Sequence, residues 1–296
     1  MKKQYLIVIF ISVVLAGAIL LPRNLTLNEE VLFQVEKGQG SREIALNLQK
    51  QGLIRWSPIF RAYVVLRGVA GQLQAGYYFV SPSMNVPQIS GKFASGDIAK
   101  TEITIPEGFN AKQIQERLKN LTRTVLVRLT EHEGYLFPDT YKIPYGMEED
   151  SLIKMMRDNF DKKTVGLKIT PEIVIMASIL EKEVKTPEDK EIVAGIFWKR
   201  IETGKPLESC ATIAYIKGVD QWRYSYEDTR IESPYNTYLN LGLPPGPICN
   251  PGLESIEAAV YPKDSNYWYY LSTPDGETIF SKTLEEHNYA KAKYLK

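Results

Sequence analysis

Residues 171–184, PEIVIMASILEKEV, constrain the fold more than any other stretch. They form the most apolar segment after the N-terminus, and they close on two acids, Glu181 and Glu183. Thr170 supplies an N-cap and Pro171 suits the first helical position, so the spacing predicts a helix. Ile173, Ala177, Leu180 and Val184 recur at helical intervals and predict one buried face. At about 100° per residue, Glu181 and Glu183 fall on the two edges of that face. Two readings stand at this point: solvated acids at the end of a core helix, or a half-buried carboxyl. Apolar neighbours favour the protonated form of such a carboxyl, which suits it to proton transfer.

The rest of the composition excludes more than it selects. Thirty-six basic against thirty-five acidic residues give no electrostatic footprint for nucleic acid. Two histidines (His132, His287) and two cysteines (Cys210, Cys249) offer no common metal-ligand spacing, so no metal is expected. Eighteen tyrosines and four tryptophans, concentrated in the last third, suit a carbohydrate cleft as well as an ordinary core.

Taken in order, residues 1–4 form a short basic stub, and residues 5–21 are apolar apart from Ser12. That length is close to the minimum for a bilayer span, and the apolar run continues past Ala16-Gly17-Ala18, so an uncleaved anchor is expected. Lys2 and Lys3 place the N-terminus in the cytoplasm and the remaining chain beyond the membrane.

From Val31 the pattern reads strand, glycine turn, helix, with Ser41 as the expected cap and Gly52 as the stop. A second helix is predicted at Ser57–Leu66, a strand at 73–80 and a short helix near 86–93. Residues 101–120 then echo the start at an offset of seventy: Val35 matches Ile105, Gly38 matches Gly108, Ile44 matches Ile114 and Leu48 matches Leu118. The turn at residues 94–97 is the best linker. These elements predict an α+β chain: a transmembrane helix, a small βα domain over 27–97, and a larger mixed α+β domain over 98–296.

In the larger domain, residues 131–144 (EHEGYLFPDTYKIP) form a loop, since Gly134, Pro138 and Pro144 forbid a long helix. Tyr135, Phe137 and Tyr141 either pin that loop or, with Asp139, present a cleft wall to a sugar. Helices are predicted at 151–160, from Pro187 to Arg200, from Leu207, and at Leu253–Val260. A hairpin turns at Pro274-Asp275-Gly276, and a last helix opens at Glu285. Between them, residues 240–252 hold four prolines and three glycines, the composition of a rigid loop that places something.

Two resemblances follow from these residues. The first βα unit, with its V-x-K-G and I-A-x-x-L spacing, resembles the LysM module, which binds polymers containing N-acetylglucosamine. ASILEKE (177–183), EGYLFPDTY (133–141), SPYNTY (233–238), GLPPGPICNPG (242–252) and EHN (286–288) together resemble the MltG, or YceG-like, family of endolytic murein transglycosylases. The resemblance covers nearly the whole chain.

That resemblance implies cleavage of the MurNAc–GlcNAc bond within peptidoglycan strands, without water or cofactor, leaving a 1,6-anhydro-MurNAc end and terminating nascent strands. It selects Glu181, the first acid of E-K-E, as the catalytic residue, which periodicity alone leaves undecided. Ordinary glycosidases use two carboxylates. Here one suffices, because the sugar's own C6 hydroxyl is the nucleophile and Glu181 acts as acid and then as base. An apolar collar from Ala177, Leu180 and the aromatic loops is expected to keep it protonated. Tyr235 and Asn236 resemble the Tyr-Asn pair that lytic transglycosylases place beside the sugar, where Asn236 would hydrogen-bond an acetamido group, with a turn-closing amide as the alternative. Glu183, Tyr135, Asp139 and Tyr141 complete the expected substrate contacts, with a structural role for Glu183 as the alternative. Implied partners are glycan strands, peptidoglycan synthases and the cell membrane, with the catalytic domain on its outer side.

Glu208-Ser209-Cys210 departs from the glutamine and serine-aspartate pattern of the family. In an oxidising compartment Cys210 and Cys249 are expected to form a disulfide joining helix to loop, with two buried free thiols as the alternative. Two rival functions stay open: a non-catalytic wall-binding scaffold, and a water-using muramidase whose further acid would be Glu183, Glu133 or Asp139.

Overall fold

The computed structural model describes residues 21–24, 29–119, 121, 127–219, 221 and 224–295. The apolar run at 5–21, apart from Leu21, lies outside them. Among the described residues no helix is long and apolar enough to cross a membrane. The chain divides into two compact units, the first ending at Glu102 and reclaiming Lys142–Met147, the second made of Ile103–Tyr141 and Glu148–Lys296.

The first unit runs β1 (Val31–Val35), α1 (Ser41–Lys50), α2 (Ser57–Leu66), β2 (Gly76–Val80) and α3 (Val86–Ser95). β1 and β2 pair antiparallel, with Phe33 opposite Tyr78 and Val35 opposite Gly76. Alternation along β1 turns Phe33 and Val35 inward. They meet Ile44, Ala45 and Leu48 of α1, Phe60 and Val64 of α2, and Ile89 and Phe93 of α3. Phe93 is the hub: its ring stacks on Phe33 at 5.7 Å and tilts against Tyr78 at 4.6 Å. The predicted Ser57–Leu66 helix is present with these bounds. Ser41, expected to cap α1, is instead its first helical residue. Gly40 holds the cap position in an extended conformation and offers no side chain for capping. The second strand starts three residues later than predicted, because Gln74 turns to α3, its N–H donating to the Phe93 carbonyl.

β3 (Lys100–Thr104) pairs with β4 (Thr140–Pro144), and each of these strands has residues in both units. The echo in the sequence is a repeat in structure. α4 (Ala111–Leu118) follows β3 as α1 follows β1, and Gly38 and Gly108 both turn through the left-handed region (φ 88° and 74°). Asn110 and Gln113 form a full capping box on α4.

The second unit is organised on α6 (Pro171–Glu183), reached through α5 (Glu149–Lys163). The Thr170 hydroxyl accepts from the Ile173 N–H and Pro171 opens the helix, as predicted. The buried set is broader than one face: Val174, Met176, Ala177, Ser178, Ile179 and Leu180 are all inside, while Ile173 is only half-buried. The reason is encirclement. α7 (Pro187–Glu202), α8 (Cys210–Lys217) and α9 (Leu253–Val260) all pack on α6, and the 242–252 loop covers another side. Each large side chain buried this way contributes about 1.5–3 kcal/mol. The predicted hairpin, β5 (Tyr269–Ser272) and β6 (Thr278–Ser281), precedes α10 (Leu284–Tyr294).

Candidate active site

Ser178 and Asn250 fix the Pro/Gly-rich loop to its surroundings. The Ser178 hydroxyl accepts from the Ile248 N–H at 3.0 Å, and the Ser178 carbonyl accepts from the Cys249 thiol at 3.2 Å. Asn250 is fully buried and uses its backbone and side chain together. Its N–H and its amide nitrogen both donate to the Phe109 carbonyl, and its own carbonyl accepts from the Gly108 N–H at 3.0 Å. Its Oδ1 accepts from the Leu136 N–H, and its Nδ2 donates to Glu133 at 2.8 Å. One asparagine therefore joins the turn before α4, the 131–144 loop and the approach to α9. Sequence reasoning passed it over; its place before Pro251 in the rigid loop was the available signal.

Gly252 is the N-cap of α9, and its N–H donates to Glu181 Oε2 at 3.0 Å. The Ser255 hydroxyl, in the first turn of α9, donates to the same oxygen at 2.6 Å. Lys190 Nζ lies 3.6 Å from it, and the lysine is 3 % exposed. The carboxyl of Glu181, its side chain 9 % exposed, thus docks at a helix N-terminus beside a buried ammonium. This corrects the expected collar. Ala177 and Leu180 are buried as anticipated, but the carboxyl itself meets polar donors, because α9 begins where α6 ends.

Glu107 completes this cluster, and sequence reasoning missed it too. A Cβ on Gly252 would stand 2.0 Å from Glu107 Oε1, so only glycine lets that carboxyl approach. Partial burial and then the Glu181 charge push the Glu107 carboxyl above its usual range, with Lys190 opposing. Glu133 is the other perturbed acid. Both of its oxygens accept from the Ala111 N–H at the start of α4, yet burial pushes it up to about 7.

The remaining predicted residues divide. Tyr235 is half-exposed, and its ring lies 4.9 Å from that of Tyr215, whose hydroxyl is pushed up to about 12 by burial and the neighbouring Tyr235. Asn236 is fully buried. Its Nδ2 donates to the Thr229 and Ile231 carbonyls and its Oδ1 accepts from the Tyr238 N–H, so the buried amide closes a turn and presents nothing to the surface. Glu183 is also engaged inside the protein. It accepts from the Ser209 hydroxyl, the Ala211 N–H at 3.1 Å and the Tyr270 hydroxyl at 2.7 Å, which anchors the start of α8.

Within the 131–144 loop the aromatic side chains act as pins. Tyr141 is buried with its hydroxyl donating to the Phe137 carbonyl, and Tyr135 packs on Phe160 at 5.3 Å. Asp139 accepts from Asn159 and the Thr140 N–H, contacts which hold its carboxyl below the usual range. The disulfide expectation is corrected: both cysteines are free. Cys249 is buried against the Ser178 carbonyl, whereas Cys210 is exposed beside the Tyr238 hydroxyl at 3.1 Å. Among the described residues no group of three or more His, Cys, Asp or Glu is placed to hold a metal ion.

The fold and this site define a mixed α+β protein built around one glutamate at the end of a buried helix, fixed by a neighbouring helix N-terminus. Residues 33–293 match the YceG-like family, and the chain belongs to it. It is 32% identical to the endolytic murein transglycosylase of Bacillus subtilis (strain 168), over 90% of this chain and 85% of that one. It is 28% identical to the protein of the same name from Streptococcus pneumoniae (serotype 2, strain D39), covering 93% of this chain and 60% of the pneumococcal one. Among solved structures, a putative YceG-like protein from Listeria monocytogenes superposes with a TM-score of 0.56 at 31% identity, over 89% of this chain and 99% of that one.

Proposed function

We propose that this chain is a peptidoglycan lytic transglycosylase that cleaves the MurNAc–GlcNAc bond inside glycan strands and leaves a 1,6-anhydro-MurNAc end. The family membership and the names of the Bacillus and pneumococcal relatives support the enzyme class. The observation that carries the residue assignment is the docking of Glu181 on Gly252, Ser255 and Lys190 at the start of α9.

In this reading the Glu181 carboxyl gives its proton to the glycosidic oxygen as the bond to MurNAc C1 breaks. The resulting carboxylate then takes the proton of the C6 hydroxyl as that oxygen attacks C1. The proton lost in the first step is recovered in the second, and no water is consumed. The contacts on Oε2 hold the carboxyl in one orientation through both steps, which is where a positioned acid gains over a mobile one. Tyr235 offers a half-exposed ring on which a sugar can stack.

Further parts of the proposal rest on the sequence and on local structure. The β1–α1–α2–β2 order of the first unit and its antiparallel strand pair support the LysM-like reading of that unit. The apolar run at 5–21 supports a single-pass anchor with the enzyme on the outer face of the membrane. Termination of nascent strands and work beside peptidoglycan synthases follow from such a location.

The test is the mass of the product. Glycan strands digested by the protein are expected to yield anhydro ends, one water lighter than reducing ends. Reducing ends would make it a muramidase, and no release would make it a scaffold.

A further inference from the structure

Helix α2 carries a face that the core of the first unit does not use. Its inward side is Ser57, Phe60 and Val64, all buried. On the other side Pro58, Ala62, Val65 and Leu66 are exposed, and Arg61 is the only charge in the helix. Leu66 is 86 % exposed, and Trp56 at the N-cap is 52 % exposed. Pro58, Arg61, Ala62 and Val65 also border a groove shared with Arg42 and Leu46 of α1. A contiguous apolar patch facing water marks a surface that meets something.

The charge around this face is one-sided. From Ser41 to Gly68 the basic residues are Arg42, Lys50, Arg55, Arg61 and Arg67, all exposed, against Glu43 alone. The whole chain is nearly neutral, so the excess is local. Apolar side chains rimmed by arginine suit a helix lying on a lipid surface, where aliphatic groups reach the acyl boundary and guanidinium groups meet phosphates. A sugar strand fits the face less well, because Pro58, Ala62, Val65 and Leu66 offer no acceptor for a hydroxyl. So does a second copy, since an isologous contact would set arginines against arginines.

The point where the apolar run at 5–21 meets this unit shows which surface is near. Leu21, the last residue of the run, and Arg23 border a cleft with Arg55, Trp56 and Ile59. The segment is pinned there. Arg55 donates to the Arg23 carbonyl at 3.3 Å, and the Asn24 N–H donates to the Pro82 carbonyl at 3.0 Å. The Arg23 guanidinium packs over Gly52, in space that a Cβ would take. A headgroup layer is about 5–8 Å deep on each side of the hydrocarbon. A run that leaves the hydrocarbon at Leu21 brings Trp56 into that layer, which is where tryptophan is enriched.

We propose that the outer face of α2, from Trp56 to Leu66, is a lipid-binding site. It rests in the headgroup layer of an anionic membrane, with Trp56, Val65 and Leu66 reaching the acyl boundary and Arg42, Arg61 and Arg67 pairing with lipid phosphates. This rests on the reading of residues 5–21 as the anchor. The contact fixes the first unit at the membrane surface.

The experiment reads tryptophan quenching by lipids brominated high on the acyl chain. The full chain is reconstituted in phosphatidylcholine vesicles with and without phosphatidylglycerol. Wild type is expected to lose a fraction of its fluorescence that Trp56→Phe does not lose. Leu66→Trp in the Trp56→Phe background is expected to regain that loss. Arg42→Gln/Arg61→Gln, or omission of phosphatidylglycerol, is expected to reduce the Trp56 part at least about twofold. Equal quenching of wild type and Trp56→Phe overturns the proposal, and so does a Trp56 signal indifferent to lipid charge. Shielding of Trp56 from acrylamide by soluble glycan strands but not by vesicles also overturns it, and gives the face to the glycan. A sodium carbonate wash tests the anchor separately. A chain stripped from the vesicles refutes the anchor whatever α2 does, whereas a chain that resists the wash without Trp56 quenching refutes the site alone.

Discussion

The Gly252 N–H and the Glu181 carboxyl meet at 3.0 Å although 71 residues of chain separate them. That contact makes the end of one buried helix face the beginning of another. A carboxyl oxygen at a helix N-terminus accepts from N–H donors that the helix itself leaves unpaired. It also needs a residue without a side chain at the cap, since Glu107 occupies the space that a Cβ would take.

Gly252→Ala tests that requirement. The added methyl must displace the Glu107 carboxyl or the α9 cap, and a carboxyl on a flexible stem yields first. The protein is expected to stay folded, with a stability loss of about 1–2 kcal/mol. Activity is expected to stay near wild type, because the Gly252 N–H, Ser255 and Lys190 keep their places on Glu181. Thermal unfolding and product release, measured on one preparation, check both.

Asn236 separates a structural amide from a substrate contact. Its three internal hydrogen bonds predict that Asn236→Ala costs about 2–3 kcal/mol of stability, since two carbonyls lose their donor. The folded fraction is expected to keep its KM for glycan strands. A large rise in KM without any loss of stability would return Asn236 to the binding cleft.

Glu133 makes stability depend on pH in a defined direction. Its folded value of about 7 lies above the usual carboxylate range, so between those limits the folded state holds a proton that the unfolded state has lost. Stability from this group is present at low pH and declines as pH rises from about 4.5 to 7, by about 3 kcal/mol. Glu133→Gln removes that decline. Denaturant midpoints at pH 5 and pH 8 should converge in the variant relative to wild type.

Much of this arrangement was legible along the chain. Thr170-Pro171 and the apolar period gave α6, and the matched glycines at 38 and 108 gave the repeated strand–turn–helix. Four prolines in the 240–252 loop announced its rigidity. What the sequence concealed were partners brought in by tertiary approach. Asn236 and Asn250 sit in similar turn-rich surroundings, yet the second is the hub of the site and the first closes a local turn. Lys190 reads as an ordinary helix-surface lysine until α9 buries it. Glu107 occupies the turn of a repeat whose first copy has Lys37 in its place, and nothing in the spacing reveals that it lies against Gly252.

Glu181 and Glu183 lie one residue apart across Lys182, but the structure gives them different surroundings, and comparing their glutamine variants tests the account most directly. Purified glycan strands are digested by Glu181→Gln, Glu183→Gln and wild type, and anhydro ends are counted by mass spectrometry. Glu181→Gln is expected to fold and release none, whereas Glu183→Gln loses about 1–2 kcal/mol of stability at its α8 anchor and keeps measurable turnover. Anhydro ends from Glu181→Gln at the wild-type rate would contradict the account.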